Sequence, residues 1–151
     1  LITLGGSRYL LVEFDFGLSG SVLLRTLEAI AQRGLVPVVA HPERYDAVQR
    51  DPGLAAWCFS RGMLLQLNKG SLLGLLGSRA EDTALHLLSH GLAHLIASDA
   101  HDDRFRTTGF RSLLPVLEPI CHPDYIALLL HGNPRRILRD EPIPIPPLQS
   151  D

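Results

Sequence analysis

Four short apolar runs recur along the chain at intervals of about 30 residues. They end at Glu13, His41, Asn68 and Asp99, and the intervals between these ends are 28, 27 and 31 residues. A unit of one strand and one helix occupies about 30 residues. Runs that are apolar at every position are typical of strands buried on both faces of a parallel sheet. The spacing therefore predicts an α/β fold of consecutive β/α units.

The segments around these runs have helical periodicity or helix boundary residues. Ser78-x-x-Glu81 has the form of a capping box, and Pro123 suits a first helical turn. Gly70–Gly74 reads as the turn after the third strand. Glycine is predicted to end four helices, at positions 34, 62, 91 and 132. The predicted helices cover residues 21–33, 54–61, 78–90, 110–117, 125–131 and 133–138.

The predicted strands are too few to close a β/α barrel by themselves. Four strands make about half of such a barrel, which typically needs about 200 residues or more. The chain has 151 residues and begins with Leu1 rather than Met. We therefore expect further strands upstream and assign residues 1–141 to the C-terminal part of a single barrel domain. Residues 142–151 form a proline-rich tail that cannot pair as a central strand.

Composition excludes several classes of protein. The chain is 46% hydrophobic and 20% charged with a net charge of −2, which does not favour nucleic acid as a partner. No run reaches the roughly 20 apolar residues of a membrane span, and the first residues do not read as a signal peptide. Two cysteines, Cys58 and Cys121, make no disulfide scaffold and favour a reducing compartment. We expect a cytoplasmic protein.

Carboxylates and imidazoles at the ends of the apolar runs predict a divalent metal site. In a β/α barrel the C-terminal strand ends meet at one face. Asp99 and His101 lie two apart on an extended segment, so both side chains point the same way. His41 alone is equally well a buried core histidine, and Glu13 alone could pair with any arginine. Together the four side chains suit Mn, Fe or Zn rather than Ca.

Arginines follow two of these strand ends. Arg44 lies three residues after His41, and Arg104 and Arg106 come just after His101. A guanidinium binds phosphate through two parallel hydrogen bonds. We predict a phosphate clamp of Arg44 and Arg106, with Arg104 as the alternative to the second. Surface salt bridges are the simpler interpretation of any one of them.

Other reactive residues are weaker candidates. His86 and His90 have zinc-binding spacing on a helix but no third ligand, so an exposed helix face is favoured. His94 begins its strand and is expected at the opposite barrel face, where residues serve stability. Neither cysteine has an arginine six residues later, as a cysteine-based phosphatase loop requires. Both are expected to be buried thiols.

With these residues in place, the chain resembles the PHP (polymerase and histidinol phosphatase) superfamily. Within it, the chain is most similar to the bacterial manganese-dependent protein-tyrosine phosphatases of capsule and exopolysaccharide operons. The His-Pro-Glu-Arg-Tyr segment at 41–45 and the Gly-Ser-Leu-Leu-Gly segment at 70–74 are specific to this subgroup. The matching segments are 9–14, 37–45, 66–74, 98–101 and 133–138.

The resemblance implies part of a distorted, TIM-like PHP barrel that hydrolyses phosphotyrosine in proteins. It implies Glu13, His41, Asp99 and His101 as ligands of a divalent metal cluster, with Mn first and Fe or Zn as alternatives. Arg44 and Arg106 then contact the phosphate, and the substrate protein is a tyrosine kinase of the polysaccharide operon.

The chain also departs from the PHP pattern. The Asp-x-His-x-His segment of the family's first strand and a later histidine are absent, and residues 107–109 replace a frequent Pro-Pro-His. Two alternatives therefore stay open. One is a PHP phosphoesterase acting on a small metabolite such as histidinol phosphate. The other is an inactive fragment or binding module that lacks the first-strand ligands.

Overall fold

Four parallel strands form one sheet in chain order, which confirms the predicted succession of β/α units. The computed structural model describes residues 3–98 and 109–147. The strands are β1 (Tyr9–Val12), β2 (Val36–Ala40), β3 (Leu64–Asn68) and β4 (Leu95–Ala97).

Helices follow the strands as the periodicity predicts. The α-helices are α1 (Gly20–Gln32), α2 (Asp46–Arg50), α3 (Gly53–Ser60), α4 (Lys69–Leu72), α5 (Ser78–Ser89), α6 (Leu114–Leu117), α7 (Pro123–Ala127) and α8 (Asn133–Leu138). Within the described ranges, 3-10 turns cover Leu4–Gly6, Pro42–Arg44 and Arg111–Leu113, and a π-helix covers Leu128–Gly132. Among the helices of the described ranges, none is long and apolar enough to cross a bilayer.

Local signals explain most helix boundaries. The Ser19 hydroxyl caps α1 by accepting a hydrogen bond from the Val22 amide. Gly34, Gly62 and Gly91 have φ values of 82°, 76° and 68°, so they end three helices as predicted. Pro123 is the first residue of α7.

Three predictions of local structure are wrong. Gly77 rather than Ser78 is the N-cap of α5, and the Glu81 carboxylate lies beside Gly74, so no capping box forms. Residues 69–72 form the helix α4 where a turn was expected. Gly132 has a helical φ of −65° and does not end a helix, because the π-helix runs directly into α8.

Apolar side chains cover both faces of the sheet, as the uniformly apolar strands predicted. One face carries the larger core, in which Val39, Leu65 and Ile96 pack against helices. The opposite face carries a smaller cluster around Val38 and Leu64, to which α8 and the tail contribute Ile137 and Ile143. With apolar partners on both sides, the strands hold a fixed register.

That register places the C-terminal ends of all four strands at one edge of the sheet. Val12 is level with Val39, Ala40 with Gln66, and Asn68 with Ala97. Residues that follow these strands are therefore neighbours although they lie about 30 positions apart in the sequence. We call this edge, where Glu13 and His41 emerge, the upper edge.

Candidate metal and phosphate site

Glu13 and His41 meet at the upper edge, as predicted. The distance between Glu13 Oε1 and His41 Nε2 is 2.6 Å. The imidazole is buried, whereas 72% of the Glu13 side chain is exposed. His41 Nδ1 is buried without a hydrogen-bond partner. A buried imidazole nitrogen without a partner is costly, so this ring is held in a position that packing alone does not favour.

The backbone at His41 is strained. Its φ is 38° and its ψ is 56°, in the left-handed region that few residues other than glycine adopt. The His41 amide donates to the Gln66 carbonyl at 2.7 Å, and Pro42 then begins the 3-10 turn. The strain turns the chain sharply at the end of β2. Such strain persists where surrounding structure enforces it, and it clusters at functional sites.

Tyr45 holds the ends of β1 and β2 together. Its hydroxyl donates to the Ala40 carbonyl at 2.6 Å and accepts from the Phe14 amide at 3.0 Å. Burial raises the pKa of the Tyr45 phenol to about 12, so it remains a donor at neutral pH. Because Phe14 and Ala40 adjoin Glu13 and His41, this bridge fixes the spacing of the backbone at these two residues.

Glu43 fixes the 3-10 turn to the end of β3. Its side chain is fully buried, and Oε2 accepts a hydrogen bond from the Asn68 amide at 2.9 Å. Burial raises the pKa of Glu43, while the Ser71 hydroxyl and the Asn68 amide oppose that shift. In the sequence, Glu43 was noted only as part of the segment at 41–45, and its structural role was not predicted.

Arg44 extends from this anchored turn toward the same edge. Its guanidinium lies over the Phe16 ring, with 4.4 Å between Cζ and the ring centroid. The Phe16 ring in turn meets the His41 ring edge-on at 5.6 Å. The Phe16 ring thus lies between Arg44 and His41.

Residues at the end of β3 stabilise the upper edge through two hydrogen bonds. The Asn68 side chain caps α4 by accepting from the Gly70 amide at 2.8 Å. The Lys69 ammonium donates to the Gly109 carbonyl, so it ties β3 to the segment that follows residue 108.

Four predicted site residues lie outside the described residues: Asp99, His101, Arg104 and Arg106. Within residues 3–98 and 109–147, no three His, Cys, Asp or Glu side chains are grouped to hold a metal ion. The described part of the predicted site therefore consists of Glu13, His41 and Arg44.

The weaker candidates behave as structural residues. His86 on α5 and His90 directly after it are exposed, with 4.1 Å between their ring centroids. Partial burial and the neighbouring His90 lower the pKa of His86. Cys58 and Cys121 are buried free thiols. Burial raises their pKa values to about 12 and about 11, which removes the thiolate needed for nucleophilic attack.

His94 lies at the opposite edge of the sheet, as predicted. It precedes β4 and is buried, with its ring stacked on Phe59 at 5.2 Å. Its Nδ1 accepts from the Leu65 amide at 2.9 Å, so the proton of the neutral ring is on Nε2. Its carbonyl accepts from the Asn133 side chain, which ties α8 to this edge.

We expect His94 to make stability depend on pH. Burial lowers the pKa of His94 from 6.5 to about 4. Between these values the unfolded chain binds a proton that the folded chain does not, so stability falls as the pH drops through this window. The loss at pH 4.5 is about 2–3 kcal/mol.

Urea unfolding at pH 7 and pH 4.5 measures this loss. A matched variant is His94→Asn, whose amide oxygen can replace Nδ1 as the acceptor for Leu65. We expect a smaller difference between the two pH values in this variant. Equal differences in both proteins would show that His94 does not carry the effect.

A family model described as capsular polysaccharide synthesis, CpsB/CapC, matches residues 1–139. The chain belongs to the CpsB/CapC family. This confirms the subgroup indicated by the segments at 41–45 and 70–74.

Named CpsB/CapC relatives include tyrosine-protein phosphatases. YwqE of Bacillus subtilis (strain 168) is 30% identical over 143 residues, which are 95% of this chain and 56% of YwqE. CpsB of Streptococcus pneumoniae is 29% identical over 144 residues, covering 92% of this chain and 59% of CpsB. The chain therefore spans somewhat more than half of these relatives.

A solved structure supports the same fold. It is one of the crystal structures of YwqE from Bacillus subtilis and CpsB from Streptococcus pneumoniae, which are described as metal-dependent tyrosine phosphatases. The superposition has a TM-score of 0.81 at 29% identity and covers 100% of this chain and 62% of the solved one. The predicted PHP-type α/β fold is thereby confirmed.

Proposed function

We propose that this chain carries part of the active site of a metal-dependent phosphatase acting on phosphotyrosine in proteins. One observation carries the proposal: Glu13, His41 and Arg44 converge at the upper edge of the sheet. A carboxylate, an imidazole and a guanidinium together suit a cation and a phosphate. The tyrosine-phosphatase names of YwqE and CpsB support this choice of substrate.

The described donors fit a divalent metal. Glu13 Oε1 and His41 Nε2 converge within 2.6 Å, and a cation can take both as ligands in place of their mutual hydrogen bond. Carboxylate and imidazole donors suit Mn, Fe and Zn. We propose Mn, with Fe or Zn as alternatives, and assign Asp99 and His101 as further ligands. These four residues, Glu13, His41, Asp99 and His101, hold the cluster.

The chemistry divides between the metal and the protein. When bound, divalent metal ions supply the charge that ionises water near neutral pH and polarises the phosphoryl group. Arg44 and Arg106 bind the phosphoryl oxygens and stabilise the charge that develops on them. The tyrosine phenol has a pKa of about 10 and leaves readily without a strong general acid.

No covalent phosphoenzyme is needed in this scheme. Of the residues that the structure describes, Cys58 and Cys121 are the thiols, and both are buried with raised pKa values. Water is the nucleophile we propose, and Arg44 orients the phosphate for its attack.

Among the residues that the structure describes, exposure at the upper edge favours a protein substrate over histidinol phosphate. Most of the Glu13 side chain is exposed, and 41% of Phe16 is exposed. A shallow rim suits a tyrosine on a protein surface, whereas a small metabolite needs an enclosing pocket. We propose a tyrosine kinase of the polysaccharide operon as the substrate protein and the cytoplasm as the compartment.

Hydrolysis of a phosphotyrosyl peptide by the full natural protein tests the proposal. We expect activity with Mn²⁺, loss of activity with a chelator and recovery when Mn²⁺ is restored. A double variant, Cys58→Ala with Cys121→Ala, serves as the control and should remain active. Activity that survives chelation, or no hydrolysis with Mn²⁺, Fe²⁺ or Zn²⁺, would refute the proposal.

A further inference from the structure

Phe16 is a large apolar side chain left partly exposed at the rim of the candidate site. It lies three residues after Glu13, and 41% of it is exposed to solvent. Its carbonyl accepts from the Asp46 amide at 2.9 Å, so the loop that carries it is tied to the start of α2. Phe16 is therefore held in place although it is not part of the core.

The ring of Phe16 is oriented by three neighbours. It meets His41 edge-on at 5.6 Å, with 86° between the ring planes, and lies 6.1 Å from the Tyr45 ring. The Arg44 guanidinium lies over the ring face, 4.4 Å from its centroid. A cation above an aromatic face is attracted by the ring quadrupole. The Phe16 ring thus contacts both His41, a proposed metal ligand, and Arg44, the residue proposed to bind the phosphate.

Space for a ligand adjoins this ring. An open surface depression of about 350 Å³ is lined by four consecutive residues, Glu13, Phe14, Asp15 and Phe16. In an aryl phosphate one ester oxygen separates the phosphorus from the ring. A phosphate bound by Arg44 therefore brings the attached ring beside Phe16.

We infer that Phe16 is a specificity-determining residue, whose ring forms the wall that receives the aromatic ring of an aryl phosphate. This inference rests on the proposed function, because it requires the phosphate to bind at Arg44. Offset or edge-to-face contact between two aromatic rings adds binding beyond the burial of apolar area. The side chain of an alkyl phosphate such as phosphoserine has no ring to make that contact. Phe16 thus selects for phosphotyrosine after Arg44 has bound the phosphate.

Two inhibitory ligands separate the wall from the clamp. Inorganic phosphate binds the clamp and the metal, and phenylphosphonate binds the same groups and adds contact with the wall. Calorimetry on the full natural protein with Mn²⁺ gives the dissociation constants of both. In Phe16→Ala we expect phenylphosphonate to weaken about three- to tenfold more than phosphate.

Two further variants complete the test. Phe16→Tyr keeps an aromatic wall and should retain the preference for phenylphosphonate. Ile145→Ala removes another exposed apolar side chain, 85% exposed in the tail, and should leave both constants unchanged. Thermal melting of each variant checks that it is folded.

Each outcome decides the inference. Equal weakening of both ligands in Phe16→Ala would mean that Phe16 acts only by holding Arg44, and the inference would be wrong. Unchanged binding of both ligands would overturn it as well. The measurement needs no turnover, so a protein that shows the selective loss but hydrolyses no phosphotyrosine would refute the proposed function and leave the wall intact.

Discussion

Replacing His41 by asparagine is expected to abolish metal-dependent hydrolysis while leaving the fold in place. The imidazole is the buried donor of the Glu13–His41 pair, and the shorter asparagine side chain has no ring nitrogen for the metal. Residues that merely orient metal ligands cost about 10–100-fold when removed, so losing a ligand should lower kcat/KM by more than about 100-fold. Hydrolysis of an aryl phosphate with Mn²⁺ measures the loss.

The asparagine variant separates the effect of losing the metal ligand from the effect of placing a new residue on the strained backbone at position 41. His41 has a φ of 38°, and asparagine tolerates this left-handed conformation better than alanine does. We expect His41→Ala to be equally inactive but less stable by about 1–2 kcal/mol. Near-normal activity in His41→Asn would show that the imidazole is structural. Asp99→Ala should be inactive with its fold largely intact, and full activity there would make Asp99 a structural residue.

The sheet was predictable because its signal repeats. Each strand is a short apolar run, and the intervals between them leave room for one helix, so order and direction follow from chain geometry. The helix ends at Gly34, Gly62 and Gly91 were predictable because a left-handed residue there favours glycine.

The role of Gly132 could not be predicted from a left-handed helix end. It has ordinary helical angles, and a Cβ at this position would lie 3.2 Å from Leu128 Cδ2 and 2.7 Å from an Arg136 nitrogen. The ends of these two side chains thus lie against Gly132, a contact between neighbours that the sequence does not identify. Glu81 is a similar case, because its carboxylate lies beside Gly74 rather than at the start of α5.

Glu13 and His41 could be predicted as neighbours because both end a parallel strand. The side chains that hold these two residues in place could not be predicted from the sequence. Tyr45 reaches Phe14, which lies 31 positions away, and Glu43 reaches Asn68 across 25 positions. Both bonds join a side chain to a backbone amide, and nothing in the sequence of the amide's residue indicates its partner. The signal available in the sequence is position, because Glu43 and Tyr45 are polar residues two and four positions after the predicted ligand His41.

In the motif at 41–45, four of the five side chains each make a separate contact with another part of the structure. His41 contacts Glu13, Glu43 fixes the turn, Arg44 faces Phe16 and Tyr45 joins two strands. Each side chain has a different partner on a different element. A change at any of the four should therefore disturb the site by a distinct route.

Removing the Arg44 guanidinium is expected to lower kcat/KM by an amount equivalent to about 2–4 kcal/mol, the usual cost of losing one donor to a developing oxyanion. Arg44→Lys keeps the charge but loses the paired hydrogen bonds, so it should recover only part of the activity. The loss should be similar for a small aryl phosphate and a phosphotyrosyl peptide, because both present the same phosphate. Arg106→Ala should behave in the same way. Steady-state kinetics on the full natural protein with Mn²⁺ measures all three variants.

The substrate class is decided by comparing kcat/KM for a phosphotyrosyl peptide and for histidinol phosphate. Among the described residues, Arg44 lies beside the partly exposed Phe16 at the upper edge, an arrangement that suits a tyrosine on a protein surface. We therefore expect the peptide to be preferred. The two substrates also differ in their leaving groups, since a phenol leaves more readily than an alkyl alcohol and so depends less on a general acid. A clear preference for histidinol phosphate would overturn the tyrosine-phosphatase proposal, yet a loss in Arg44→Ala with either substrate would still support the phosphate clamp.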